Sequence, residues 1–192
     1  MSGVRPIIEE VHLSAPPADV FAVLAPRPFS FFLDSGMDPE KLGRYSFMGA
    51  DPFLVLRSRG EDITLLRNGE QEVRKGNPFD VLGEVLAAWR LETPDLPVPF
   101  GGGAVGYCSY DLCHFIERLP ATAVDDLQLP ECYLGFYDVI LGFDHVTGKA
   151  YIISSGFPET EEEPRQRRAR ERLAELKDIV TGLGLGGVFK LA

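Results

Sequence analysis

Short apolar runs dominate the chain, separated by turn-forming residues, and helical spacing appears only between groups of them. Phe31-Phe32-Leu33 reads as a short buried strand. Phe53 to Arg57 and Ile63 to Leu66 read as paired strands across Arg59-Gly60-Glu61-Asp62. Asn68-Gly69 predicts a type I′ turn, because both residues tolerate positive φ, and it should return Val73 antiparallel to the strand before it. Val139 to Phe143 and Ala150 to Ser154 flank Asp144 to Lys149 as a further hairpin.

Ser14-Ala15-Pro16-Pro17 predicts a helix start with a hydroxyl cap and prolines in the first turn. Val20, Phe21, Val23 and Leu24 form its apolar side, and it stops before Pro26. Asn77-Pro78 opens the clearest helix, with Phe79, Leu82, Leu86 and Trp89 as one stripe. Thr93 to Pro99 then forms a stiff proline-rich connection. A third helix begins near Pro164, with Ala169, Leu173, Leu176, Val180 and Leu183 as its docking stripe, and glycines from Gly182 end it. The basic run Arg165 to Arg172 reads as its solvated face. Acid ahead of base suits the helix dipole. These elements predict an α+β fold of antiparallel β-sheets, sandwich-like, with helices packed on the outside.

The chain has 192 residues, 45% of them apolar and 25% charged, enough for one large domain or two small ones. A net charge of -10 argues against nucleic acid as a partner. No apolar run approaches the roughly 20 residues of a helical membrane span, and the N-terminus is a poor signal peptide, so the expected location is the cytoplasm. Three cysteines, Cys108, Cys113 and Cys132, show no paired metal spacing and read as small buried apolar groups. Gly101 to Gly106 contains a literal GxGxxG. It follows a proline-rich segment and runs into a strand, so the glycines read as close backbone packing rather than a nucleotide loop. Ser109 or Asp111 starts a short helix that places Asp111, His114 and Glu117 at three-residue spacing. Without further ligands this is a capped helix before it is a metal site. No motif of nucleophilic or metal catalysis is present, so no catalytic or metal-binding residue is assigned.

Several motifs occur together in order: Phe32-Leu33-Asp34-Ser35-Gly36, Gly43 to Gly49 with Asp51-Pro52, Gly102 to Tyr107 with Tyr110-Asp111, and Glu117-Arg118-Leu119-Pro120. Leu129-Pro130, Tyr137-Asp138-Val139 and Phe143-Asp144-His145 follow. The set resembles the N-terminal domain of the component I family of anthranilate synthase and aminodeoxychorismate (para-aminobenzoate) synthase. The resemblance implies that residues 1–158 form that domain. It further implies that 159–192 form a helix and a truncated linker toward an absent C-terminal chorismate-binding domain. Catalysis and the Mg²⁺ cofactor would belong to that absent domain, and ammonia would come from a glutamine amidotransferase subunit. This chain alone would be inactive and would carry no cofactor.

The resemblance also implies a ligand site. In tryptophan-binding members, positions matching Ser35 and Leu42, Gly43, Arg44 and Tyr45 line one wall of a tryptophan pocket. A hydroxyl and backbone groups would hold the zwitterion while apolar walls bury the indole. Arg44 could face the ligand carboxylate or pair with Asp34. Where the anthranilate branch often has Leu-Leu-Glu-Ser, this chain has Phe32-Leu33-Asp34-Ser35. With Tyr110-Asp111-Leu112-Cys113, that change favours the para-aminobenzoate branch and folate biosynthesis. The anthranilate branch, with a tryptophan feedback site in tryptophan biosynthesis, is the alternative. A standalone amino-acid-binding module and a structural interaction domain are the readings from other classes.

Overall fold

The computed structural model describes residues 4–35, 43–92, 95–120 and 125–182. The chain divides into two compact units, Met1–Asp51 with Leu91–Gly102 and Asp138–Ala192, and Pro52–Arg90 with Gly103–Tyr137. In order, the elements are β1 (Ile7–Val11), α1 (Pro17–Leu24), β2 (Phe31–Leu33), β3 (Tyr45–Gly49), β4 (Leu54–Arg59), β5 (Asp62–Arg67) and β6 (Glu70–Lys75). There follow α2 (Pro78–Ala88), β7 (Gly103–Cys108), a 3-10 turn (Tyr110–Phe115), β8 (Cys132–Tyr137), β9 (Val139–Asp144), β10 (Lys149–Ser154) and α3 (Glu162–Thr181). Among the described residues the strands form two five-stranded antiparallel sheets, ordered β1-β10-β9-β3-β2 and β6-β5-β4-β8-β7. The α+β class with antiparallel sheets is therefore the observed one.

In the first unit, α1 and α3 cover one face of the sheet. Val20 and Leu24 meet Leu173, Leu176 and Val180 over Met48, Val139, Leu141 and Ile152. The buried α3 positions Ala169, Leu173, Leu176 and Val180 fall four, three and four apart, as the apolar pattern anticipates. Leu183 lies outside the described residues. The proline-rich segment approaches the sheet closely. A Cβ on Gly142 would meet Val98, and one on Gly101 would meet Leu96 and Ile153. The α1 cap differs from expectation: Pro16 is the capping residue and no side chain caps the helix, because Ser14 lies too far upstream. Phe31–Leu33 is a strand but not a buried one, since it forms the sheet edge and Leu33 is 48% exposed.

The basic run of α3 also differs from a simple solvated face. Asp138, the single residue between β8 and β9, is fully buried. Its carboxylate sits 3.2 Å from the Arg168 guanidinium and 3.4 Å from that of Arg172. Arg165 is buried too, and its guanidinium donates to the Ser155 carbonyl at 3.2 Å and to Glu162 at 2.7 Å. Burial pushes the Asp138 carboxyl above its usual range, and Arg172 and then Arg168 pull it back down. Only the arginines on this inward side turn from water, whereas Arg167 remains exposed.

In the second unit, Asn68 and Gly69 both have positive φ and join β5 to β6 as expected. Asn77 caps α2 by accepting from the Phe79 amide at 2.9 Å, with Pro78 in the first turn. The inward stripe is Pro78, Val81 and Val85, while Phe79 and Leu86 are exposed. Trp89 meets Phe53 edge-on at 5.2 Å. Gly106 shows the close packing inferred for the glycine run: a Cβ there would lie 1.9 Å from the Tyr133 carbonyl oxygen.

Removing a buried countercharge leaves an unpaired ion and costs about 3–5 kcal/mol. Arg172→Ala leaves Arg168 beside Asp138, so it should destabilise the protein by less than that full cost but by more than about 1 kcal/mol in urea unfolding. Arg167→Ala, which loses only an exposed pair with Glu171, should stay within about 1 kcal/mol of wild type. Equal effects of the two would mean that the Asp138 cluster does not hold α3.

Candidate functional site

Three neighbouring strands of the first sheet, β2, β3 and β9, bring the quoted motifs together at one end. Leu33 pairs with Phe47, and Tyr45 pairs with Asp144. Asp34 and Ser35 follow β2, Gly43 and Arg44 precede β3, and Asp144 and His145 close β9. Leu42, assigned to the pocket wall with them, lies outside the described residues.

Ser46 is the hub of this end. Its hydroxyl, fully buried, donates to Asp34 Oδ1 at 3.0 Å. It accepts the Ser35 amide at 3.2 Å and lies 2.7 Å from His145 Nε2. A hydroxyl has one hydrogen and two acceptor lone pairs. With its hydrogen on Asp34, the contact to His145 requires Nε2–H as donor, and every hydrogen-bonding position of Ser46 is then used. The order of the groups matters chemically. A nucleophilic serine needs the imidazole between carboxylate and hydroxyl, whereas here the hydroxyl lies between. The cluster holds strand ends together and does not activate a nucleophile.

The Arg44 side chain is directed to Asp144, a partner its sequence position did not suggest. Its guanidinium grips Asp144 with two bonds, Nε to Oδ1 at 3.2 Å and NH2 to Oδ2 at 2.9 Å. It also lies 4.9 Å from the Tyr45 ring centre. The Asp144 side chain is almost wholly buried, and its Oδ1 accepts the amides of Val146 and Thr147 at 3.0 and 3.4 Å. The bond from Arg44 holds the Asp144 carboxyl down at about 2; burial opposes this, and the two amides add to it. The Arg44 carbonyl also accepts the His145 amide at 2.8 Å, so both backbone and side chain tie the loop end to β9. Tyr45 stacks against Phe47 at 6.3 Å, and Phe47 meets Phe100 edge-on at 5.5 Å. Ser35 thus joins Ser46, whereas the side chains of Arg44 and Tyr45 meet around Asp144, which opposes Tyr45 and not Ser46; Gly43 immediately precedes Arg44.

Ser46 and Asp144 were not singled out from sequence as site residues. The available signals were the alternation of Tyr45-Ser46-Phe47, which turns Ser46 to the opposite face from its aromatic neighbours, and the Phe143-Asp144-His145 motif. Asp111, His114 and Glu117 form no metal centre. No group of three or more His, Cys, Asp or Glu side chains suited to a metal occurs among the described residues. Ser109 caps its short helix as expected, accepting the Asp111 amide at 3.3 Å. None of the described helices is long and apolar enough to cross a membrane.

These features define an antiparallel α+β domain with a preorganised polar cluster at one sheet end. Curated relatives and solved structures resemble it over most of its length. The anthranilate synthase component 1 of Acetivibrio thermocellus is 38% identical over 154 residues, 79% of this chain and 31% of that protein. The Thermus thermophilus anthranilate synthase component 1 is 34% identical over 172 residues, 89% of this chain and 36% of that protein. The crystal structure of anthranilate synthase component I from Streptococcus pneumoniae TIGR4 matches with a TM-score of 0.54 at 26% identity, over 70% of this chain and 30% of that one. No protein-family model matches the chain. The chain belongs to the anthranilate synthase component I family, as its N-terminal domain. It spans about a third of the length of the curated relatives it matches.

A carboxyl whose folded pKa is depressed contributes stability above its unfolded value and loses it as pH falls through the folded value. For Asp144, held at about 2, that window runs from roughly pH 4 down to pH 2. A carbon-detected NMR titration should give a midpoint near 2 in wild type, moving upward toward about 4 in Arg44→Met. An unmoved midpoint would show that Arg44 does not engage Asp144 in solution.

Proposed function

We propose that this chain is the non-catalytic N-terminal domain of an anthranilate synthase component I, carrying one wall of a tryptophan feedback pocket. The names of the relatives favour this branch, whereas the Asp34 substitution and the Tyr110 to Cys113 segment favoured the para-aminobenzoate branch from sequence. The Asp34 substitution bears less weight than the motif comparison gave it, because its carboxylate accepts a hydrogen bond from Ser46. The remainder of the protein would carry the chorismate site, with Mg²⁺, and would receive ammonia from a glutamine amidotransferase subunit.

The observation that carries the reading is the Ser46 cluster. It ties Asp34 and Ser35 to Ser46, next in the chain to Arg44 and Tyr45. It so supports the reading that brings Ser35 and the Leu42 to Tyr45 segment, which the family resemblance assigns to the ligand, to one end of the sheet. Within the pocket Arg44 positions the wall through Asp144, so the ligand's charged ends fall to Ser35 and to backbone groups. Leu42 and Gly43 complete the proposed lining, and Tyr45 adds an aromatic surface.

The test uses the full-length protein encoded by the same gene, supplied with chorismate and ammonia. Anthranilate should be the product, and tryptophan should inhibit its formation. Ser35→Ala, losing a hydrogen bond to a charged group worth about 1.5–3 kcal/mol, should raise the inhibiting tryptophan concentration by about tenfold or more. The rate without tryptophan should stay within about threefold. Aminodeoxychorismate as the product would return the chain to the folate branch. Unchanged inhibition in Ser35→Ala would remove Ser35 from the pocket.

A further inference from the structure

β7 and β8 pair so that Cys108 stands directly opposite Cys132. Just beyond, the Ser109 amide donates to the Glu131 carbonyl at 2.6 Å, which marks that pair as hydrogen-bonded. Antiparallel pairs alternate, so Cys108 and Cys132 occupy a non-hydrogen-bonded pair, where opposed Cα atoms are about 4.5 Å apart and side chains are closest. Opposed residues project to the same face, and disulfides span Cα separations of roughly 4.4–6.8 Å. Accessibility is asymmetric: β7 is a sheet edge and Cys108 is exposed, while Cys132 is buried.

We propose that Cys108 and Cys132 form a dithiol site that reacts with low-molecular-weight disulfides to give a reversible cross-strand disulfide. The Cys108 thiolate attacks one sulfur of the small disulfide, whose S–S bond breaks and releases one thiol. Cys132 then loses its proton and attacks the Cys108 sulfur of the mixed disulfide, releasing the second thiol. Two electrons pass from the protein dithiol to the small disulfide, and each proton ends on a released thiol. Burial pushes the Cys132 thiol up to about 12, with Cys108 adding to the shift. Cys108 is therefore the entry point, and the second step sets the rate. The product ties edge strand β7 to β8 and closes the segment 109–131 into a covalent loop.

The chain is equilibrated with glutathione disulfide, then denatured and alkylated, and the alkylated sites are counted by peptide mass mapping. Wild type should lose two of its three alkylation sites, yield a Cys108–Cys132 cross-linked peptide, and regain both sites after reduction. Cys113→Ser should lose both of its remaining sites. Cys108→Ser, changed at an exposed position, should keep Cys132 alkylatable. Proteolysis within 109–131 of the oxidised chain should leave fragments that separate only under reducing conditions. Three retained sites, a cross-link through Cys113, or a glutathione adduct at Cys108 that never resolves would each overturn the proposal.

Discussion

A carboxylate removed from water must be met by countercharge, and the position of Asp138 imposes that requirement on the first unit. Its β8–β9 junction leaves one residue between two strands, and that residue is fully buried. Desolvating a carboxylate costs several kcal/mol unless cations approach it. α3 supplies them through Arg168 and Arg172. Arg172 NH2 donates to Asp138 Oδ1 at a long 3.5 Å, while Asp138 Oδ2 and Arg172 Nε find no aligned partner, so charge outweighs directed bonding. Leu173 and Leu176, on the same helix, then meet the apolar sheet face. Burial of the leucines drives docking, and the arginines fix where along the sheet the helix can lie.

Asp144 shows how the same residue type acquires the opposite character. Its side chain is nearly as buried, but Arg44 binds it through two parallel bonds and two backbone amides converge on Oδ1. Direct bonds to the charged form outweigh desolvation here, and the carboxyl is held low. At Asp138 desolvation outweighs the nearby charges and the carboxyl is raised. Two things differ: Asp138 lies deeper in the packed interior, so desolvation weighs more on it, and it has fewer aligned donors. Asp144 belongs to a turn whose own backbone turns toward it, whereas Asp138 depends on long side chains from another element.

The hairpins were legible because each depends on residues adjacent in sequence, as Asn68-Gly69 shows with positive φ at both positions. The helix faces were less so. On α2, Phe79-Leu82-Leu86-Trp89 and Pro78-Val81-Val85-Trp89 both follow helical spacing, and only the sheet decides which row is inward. On α3, the arginines at 165, 168 and 172 look like any basic run until Asp138, about thirty residues earlier in the chain, is brought beneath two of them. The motifs of the candidate site were legible as sequence, and β2, β3 and β9 do bring them to one sheet end. The site's internal wiring was not, because Arg44 bonds a carboxylate one hundred residues away.

That wiring bears on what this wall can do for a ligand. A guanidinium already bound bidentately to a buried carboxylate is costly to redirect, because a ligand carboxylate would have to displace Asp144 and leave it buried without its partner. Ser46 is likewise saturated by Asp34, Ser35 and His145. In the proposed pocket, charge within the wall is spent on holding its own shape, so recognition would fall to backbone groups, the Ser35 hydroxyl and the aromatic surface of Tyr45. A wall of this kind is preorganised, which lowers the ordering cost of binding. As the wall of the proposed pocket, it would favour a ligand distinguished by shape and apolar area more than by charge, the description an aromatic amino acid meets.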